Sequence, residues 1–304
     1  MKDATRWRTV LTGLLLLVLA LGTSRGFAQS SPSMLVSTDW LATHLKDANL
    51  VVLDIGNDRG AYLSGHIPGA QFLSLRQIVN MNSGGWVDLP PVAYLKSLFE
   101  QDGIGNHSRI VLYGDYKGMF AARAYFTLDY LGLGSRTALL DGGLEKWTAE
   151  HRPLSSEATT PHAATLTVAP HPEVVTDLAA VMRVAASHST PLIDARPPAE
   201  FAGEKGGYGA ERSGHIPGAR DVFWVENLAN TTIPVLKPIP SLRALYEAAG
   251  VKPGAKAIVY CHAGLQSSFD YFALKLAGFQ PVLYAGSFSQ WVSAFGTQVE
   301  TSGE

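Results

Sequence analysis

"SGHIPGA" stands at residues 64–70 and again at 213–219, seven identical residues 149 positions apart. A duplication of that length asks whether its surroundings are duplicated too, and they are. Before each copy lies an apolar run ending in an acid, "NLVVLDIG" with Asp54 and "PLIDAR" with Asp194. After each comes a helix-like segment, "PVAYLKSLFEQDGI" or "SLRALYEAAGV", and then a β-branched run, "RIVLYGD" to Asp115 or "KAIVYCH" to Cys261. A second helix-like segment follows, "MFAARAYFTLDYLGL" or "SSFDYFALKLAGF", and both halves close on a tryptophan, "TALLDGGLEKW" at Trp147 and "PVLYAGSFSQW" at Trp291. Strands alternating with amphipathic helices predict a parallel sheet covered by helices on both faces. The expected fold is α/β, with two similar domains at 35–152 and 173–298. The stretch between them (153–172) is rich in Ser, Thr and Pro without periodicity, as a linker is.

The 304 residues, 46% hydrophobic, suffice for two ordinary domains. Residues 1–28 read as a secretory signal rather than fold: Lys2, Arg6 and Arg8 precede an apolar run from Val10 to Leu21, and Gly26-Phe27-Ala28 offers small residues for cleavage. That run is shorter than the roughly 20 residues that span a bilayer. The expected protein is periplasmic or secreted, with no membrane contact after cleavage; a retained N-terminal anchor is the alternative. Removing 1–28 leaves 20 cations against 25 acids, a net of about −5, which offers nucleic acid no basic patch. With one cysteine the chain makes no internal disulfide, and a lone thiol in an oxidising compartment is a reactive candidate.

Cys261 and Asp115 occupy matched strand ends, where open α/β sheets hold their ligands. One half carries a nucleophile there and the other a carboxylate, so the first half is not expected to share the chemistry. From Cys261 the chain runs His262, Ala263, Gly264, Leu265, Gln266 and Ser267 into a helix start. Such a loop can turn successive N–H groups toward one sulfur, with the helix dipole adding positive potential. Gly264 supplies the positive φ that the curl needs. These six residues, His262 through Ser267, are the candidate substrate-binding loop around a catalytic Cys261. No second cysteine or His spacing suggests a metal site, and His262 is a poor partner for a Cys/His dyad, being the adjacent residue. His66 and His215 read as turn residues of the repeat, and Trp147 and Trp291 as packing.

These motifs, "YLSGHIPGAQFL" (62–73), "DARPPAEFAGE" (194–204), "SGHIPGAR" (213–220), "YCHAGLQ" (260–266) and the two tryptophan endings, resemble the rhodanese-like sulfurtransferases in their tandem-domain form, over about residues 35–297. The resemblance implies a non-catalytic first domain and a catalytic second one. It implies that Cys261 takes a sulfane sulfur from a small donor, thiosulfate or 3-mercaptopyruvate, as a persulfide and passes it to a thiophilic acceptor. No cofactor is implied, because a covalent intermediate divides the transfer in two.

The departures matter as well. Thiosulfate-specific members carry basic residues after the cysteine, and mercaptopyruvate-specific members a Cys-Gly-Ser-Gly run; His262 and Ala263 match neither. Glu200 stands before Phe201 where tandem members often have arginine. Arg196 remains a candidate donor-binding cation, with pairing to Glu200 or Glu204 as its structural alternative, and Arg212 lies near it in sequence. Phosphatases of this fold use Cys-x5-Arg, whereas Gln266 and Ser267 stand at those positions here, without a fork to clamp a phosphate dianion. A persulfide carrier that discharges to a periplasmic protein without turning over small donors is the remaining alternative.

Overall fold

The computed structural model describes residues 33–206 and 212–302. The segment 1–28, read above as a signal, lies outside the described residues.

The first half runs β1 (Leu35–Val36), α1 (Thr38–His44), β2 (Leu50–Gly56), α2 (Arg59–Ser64), β3 (Gln71–Ser74), β4 (Asn80–Met81), β5 (Val87–Asp88), α3 (Val92–Gln101), β6 (Arg109–Gly114), α4 (Met119–Tyr130), β7 (Thr137–Leu140) and α5 (Gly143–Ala149). The second runs β8 (Val175–Thr176), α6 (Leu178–Ser187), β9 (Leu192–Asp194), α7 (Pro198–Phe201), β10 (Arg220–Asp221), α8 (Ile239–Ala248), β11 (Lys256–Tyr260), α9 (Gln266–Leu276), β12 (Gln280–Tyr284) and α10 (Ser287–Ser293). Each half forms a five-stranded sheet, β1-β7-β6-β2-β3 and β10-β9-β11-β12-β8, with every pairing parallel. The central strands β6 (RIVLYG) and β11 (KAIVY) are apolar over most of their length because both faces are covered. Residues 150–171 carry no helix or strand.

Alternation along the strands divides the interior. Leu53, Ile110 and Leu112 face inward with Ile193 and Val259 of the other half, in one apolar core continuous across both domains. Val52 and Val111 point outward to a separate cluster with Trp147, as Leu192 and Ile258 do to one with Trp291. A shared core of that kind holds two domains as one body, unlike the polar interfaces of mobile domains.

The seam is α4 against α9, and its contacts are reciprocal. Tyr125 meets Phe272 edge-on at 4.8 Å and Phe126 meets Tyr271 at 5.1 Å. Asp129 accepts from Tyr271 Oη at 2.6 Å and pairs with Lys275, the residue at its own matched position. This is the geometry of a local two-fold axis. Each half also reaches onto the other's strand ends. The antiparallel β4–β5 ribbon sends Val87 N–H to Ala263 O at 2.9 Å. From the second half, Leu236 N–H donates to Asp141 Oδ1 at 2.9 Å and Thr231 O accepts from Lys117 Nζ at 2.5 Å.

Repeat residues also match. His66 Nδ1 lies 2.8 Å from Tyr62 O with its ring stacked on Tyr62, and His215 Nδ1 lies 2.9 Å from Phe201 O, stacked on Phe201. Trp147 and Trp291 are buried, with indole N–H groups donating to Pro153 O and Gln298 O. Local backbone and ring contacts thus occupy these residues.

Candidate active site

Strand β11 ends at Tyr260, and the chain turns at once into the loop that leads to α9. Cys261 is 1% exposed, but hydrocarbon does not seal its sulfur. Gly264 N–H donates to Sγ at 3.0 Å, Ser267 Oγ lies 3.5 Å away and Ser287 Oγ 3.9 Å away. Ser287 also accepts from Cys261 N–H at 3.2 Å and donates to Tyr284 O, which fixes its rotamer. The sulfur's donors are therefore the Gly264 amide and the Ser267 hydroxyl, with the Ser287 hydroxyl as a further polar neighbour. Such groups stabilise negative charge at a fixed point without having to reorganise.

The other loop residues mostly hold the curl in shape through their carbonyls. His262 O accepts from Ser289 N–H and Oγ at 3.1 and 2.9 Å, and Ala263 O accepts from Val87. Leu265 O caps the first turn through Ser268 N–H at 3.0 Å. Gln266 opens α9, with its side-chain Oε1 buried and without a hydrogen-bond partner. Gly264 has φ +93°, and a Cβ there would lie 2.8 Å from Ala285 O. Gly264→Ala should therefore cost about 1–3 kcal/mol and pull the donor away from Sγ. Urea unfolding and turnover number measured together would test this, and full activity would contradict the loop's role.

Arg196 is not brought to the loop as a donor-binding cation. Its guanidinium is fully buried, forking onto Asp194 at 2.6–3.1 Å, donating to Gly214 O at 2.7 Å and lying 3.8 Å over the Phe288 ring. Its close partner is Asp194 of the same strand end, with Glu200 farther off at 4.0 Å. Arg212 donates to Thr297 O and Val292 O at 2.5 and 2.7 Å and closes off the end of α10.

A cation that sequence reasoning missed does reach the loop, and it comes from the first domain. Arg123 in α4 is fully buried, donating from Nη1 to Gly264 O at 2.9 Å and from Nη2 to Asp88 O at 3.2 Å. Burial pushes its pKa down to about 10, while the negative charges of Cys261 and Asp88 hold it up; the group stays charged at neutral pH. At the matched position of α9 stands Phe269, whose ring would lie 3.8 Å from a Cβ placed on Gly118. The arginine thus serves only the half with the cysteine. One signal was available: a single cation in the otherwise apolar run "MFAARAYFTL".

The first half's strand end differs in charge. Asp54 matches Asp194, but Gly56 stands where Arg196 would be. Burial, with Asp115 and Glu145 adding to it against the Tyr113 hydrogen bond, pushes the Asp54 carboxyl up to about 7. A carboxyl raised in the folded state binds a proton there that the unfolded chain has lost. Stability therefore falls as pH rises from about 4 to about 7. Asp54→Asn removes this dependence, so its stability relative to the parent should improve by about 2–3 kcal/mol between pH 5 and pH 8. Urea midpoints at the two pH values measure it, and an equal offset at both would contradict the assignment.

Comparison with known proteins agrees with this geometry. The family description "Rhodanese-like domain" matches residues 37–150 and 177–294. The chain is 33% identical to the sulfur carrier protein TtuD of Thermus thermophilus, over 88% of this chain and 96% of that one. It is 32% identical to a "Probable 3-mercaptopyruvate sulfurtransferase" of Pseudomonas aeruginosa, over 86% and 96%. Among solved structures, SseA from Escherichia coli, described as a 3-mercaptopyruvate sulfotransferase, superposes with a TM-score of 0.73 at 27% identity, over 84% of this chain and 99% of that one. Two matched sheets, one cysteine-bearing loop and these likenesses place the chain in the rhodanese-like sulfurtransferase family, as a tandem of two such domains.

Proposed function

We propose that this protein is an exported enzyme that moves a sulfane sulfur from thiosulfate or 3-mercaptopyruvate to a thiophilic acceptor through a persulfide on Cys261. The observation that carries this reading is the Gly264 N–H directed at Sγ from 3.0 Å, with two hydroxyls beside it. The Cys261 thiolate attacks the outer sulfur of thiosulfate, the donor's S–S bond breaks, and sulfite leaves with the electron pair. With mercaptopyruvate the C–S bond breaks, and the enolate that leaves takes up a proton to become pyruvate. An acceptor such as cyanide then attacks the outer sulfur of the persulfide. Thiocyanate departs and the thiolate is restored, so both displacements balance without a redox partner. Negative charge stays on sulfur throughout, where the loop's donors and the buried Arg123 favour it.

Intact-protein mass measured after each donor, followed by thiocyanate release to cyanide, tests the scheme. Gain of one sulfur and repeated turnover are expected; a protein that never loads would overturn it. The likeness to a named sulfur carrier supports a second reading, in which the loaded protein discharges to a periplasmic protein acceptor and not to cyanide. Export rests on residues 1–28, and N-terminal sequencing of protein from a periplasmic fraction should find a chain beginning after Ala28.

A further inference from the structure

The first domain's strand end opens into a cavity of about 710 Å³, the size of a small-ligand site. Its origin is legible by comparison with the second domain. There, the Arg196 guanidinium fills the corresponding space, paired with Asp194 and stacked on Phe288. In the first domain those two fillers are replaced by Gly56 and Leu144, and both line the cavity. The acid has stayed while its cation has gone. Asp54 lines the cavity at 8% exposure, with the Tyr113 hydroxyl as hydrogen-bond partner. No salt bridge reaches it among the described residues, whereas Asp194 receives three hydrogen bonds from the Arg196 guanidinium.

The remaining walls suit a positive, flat or apolar guest. Asp115 and Glu145 add carboxylates, and Tyr62, Phe72 and Tyr116 present aromatic surface that can take a cation on its π-faces. Lys117 stands beside Glu145, but its Nζ donates to Thr231 O and leaves Asp54 unpaired. Arg59 lies 6.0 Å from the Phe72 ring and lines a neighbouring cleft. Thr232 and Ile233 of the second domain complete the wall.

We propose that this cavity is a binding site for a small organic cation of the guanidinium or amidinium class bearing an apolar body, whose planar head takes the place that Arg196 occupies in the second domain. The fork then meets the Asp54 carboxylate two-pronged, and the body lies against the aromatic walls. The site is separate from Cys261 and does not depend on the sulfur-transfer reading.

Benzamidine is a suitable probe, with benzamide as its neutral isostere, and calorimetric titration of the full chain is the measurement. Saturable benzamidine binding in the millimolar range or tighter is expected, with benzamide at least tenfold weaker. Asp54→Asn should weaken benzamidine at least tenfold. Gly56→Arg should abolish binding by supplying the guanidinium internally, while Cys261→Ser should leave it unchanged. The proposal is overturned if no saturable binding occurs up to 10 mM, if benzamide binds equally well, if Asp54→Asn binds like the parent, or if Cys261→Ser loses the site.

Discussion

Cys261→Ser is expected to lower sulfur transfer by on the order of 10³-fold or more while leaving the fold and its stability in place. A serine hydroxyl is a far weaker nucleophile than a thiolate at neutral pH, and loss of a covalent nucleophile removes the two-step route altogether. The site tolerates the exchange structurally. Serine Oγ can accept the Gly264 N–H that now meets Sγ, and Ser267 and Ser287 remain within reach of it. The residue is buried at the junction of β11 and its loop, so the change of one atom perturbs packing by well under a cavity's cost. Thiocyanate assays and intact mass, read beside a urea unfolding curve, separate these effects. A variant that still turns over near the parental rate, with the same unfolding midpoint, would remove Cys261 from the mechanism and the persulfide with it.

The duplicated plan was legible because it is written in local signals. Seven identical residues, apolar strand runs and helix starts recur in order, and parallel sheets buried on both faces leave little freedom in how such a pattern folds. The cysteine loop was legible for the same reason: Cys261, Gly264 and the start of α9 are neighbours in the chain. What the sequence concealed lies between the halves. Arg123 meets Gly264 across 141 positions, and nothing in the local pattern of α4 announces a partner in another domain. Ser287, likewise remote, reaches Sγ only because β12 lies beside β11. Arg196 misled in the opposite direction. It stands near the site in sequence and carries the expected charge, yet the carboxylate two residues before it, Asp194, holds its guanidinium below the strand end. The cavity of the first domain follows from the same pair of positions, since removing the arginine at Gly56 exposes what Arg196 fills.

Arg123→Met should lower the turnover number by on the order of 10²-fold, the size of effect seen when one preorganised electrostatic donor is removed, with the donor's KM little changed. Stability should move far less. A buried guanidinium is costly to desolvate, and an apolar chain of similar length is often tolerated in its place. Here the cost is plain: Arg123 is fully buried, its partners are two neutral carbonyls, and its Nε is buried without a hydrogen bond. Such an arrangement does little for folding, since hydrogen bonds to Gly264 O and Asp88 O must offset the burial of a whole charge. It does much for a neighbouring anion. The guanidinium fixes Gly264, whose N–H faces Sγ, and places a positive charge where Cys261 feels it. It also ties down β5, whose Val87 holds Ala263. Arg123→Lys keeps the charge but loses the fork, so it should recover part of the turnover number. A purely structural residue would instead lower melting temperature and activity together, and lysine would restore neither. Turnover number, KM and melting temperature for the three proteins decide the matter: an equal fall in stability and rate would make Arg123 packing, and a fall in rate alone makes it the first domain's contribution to the chemistry of the second.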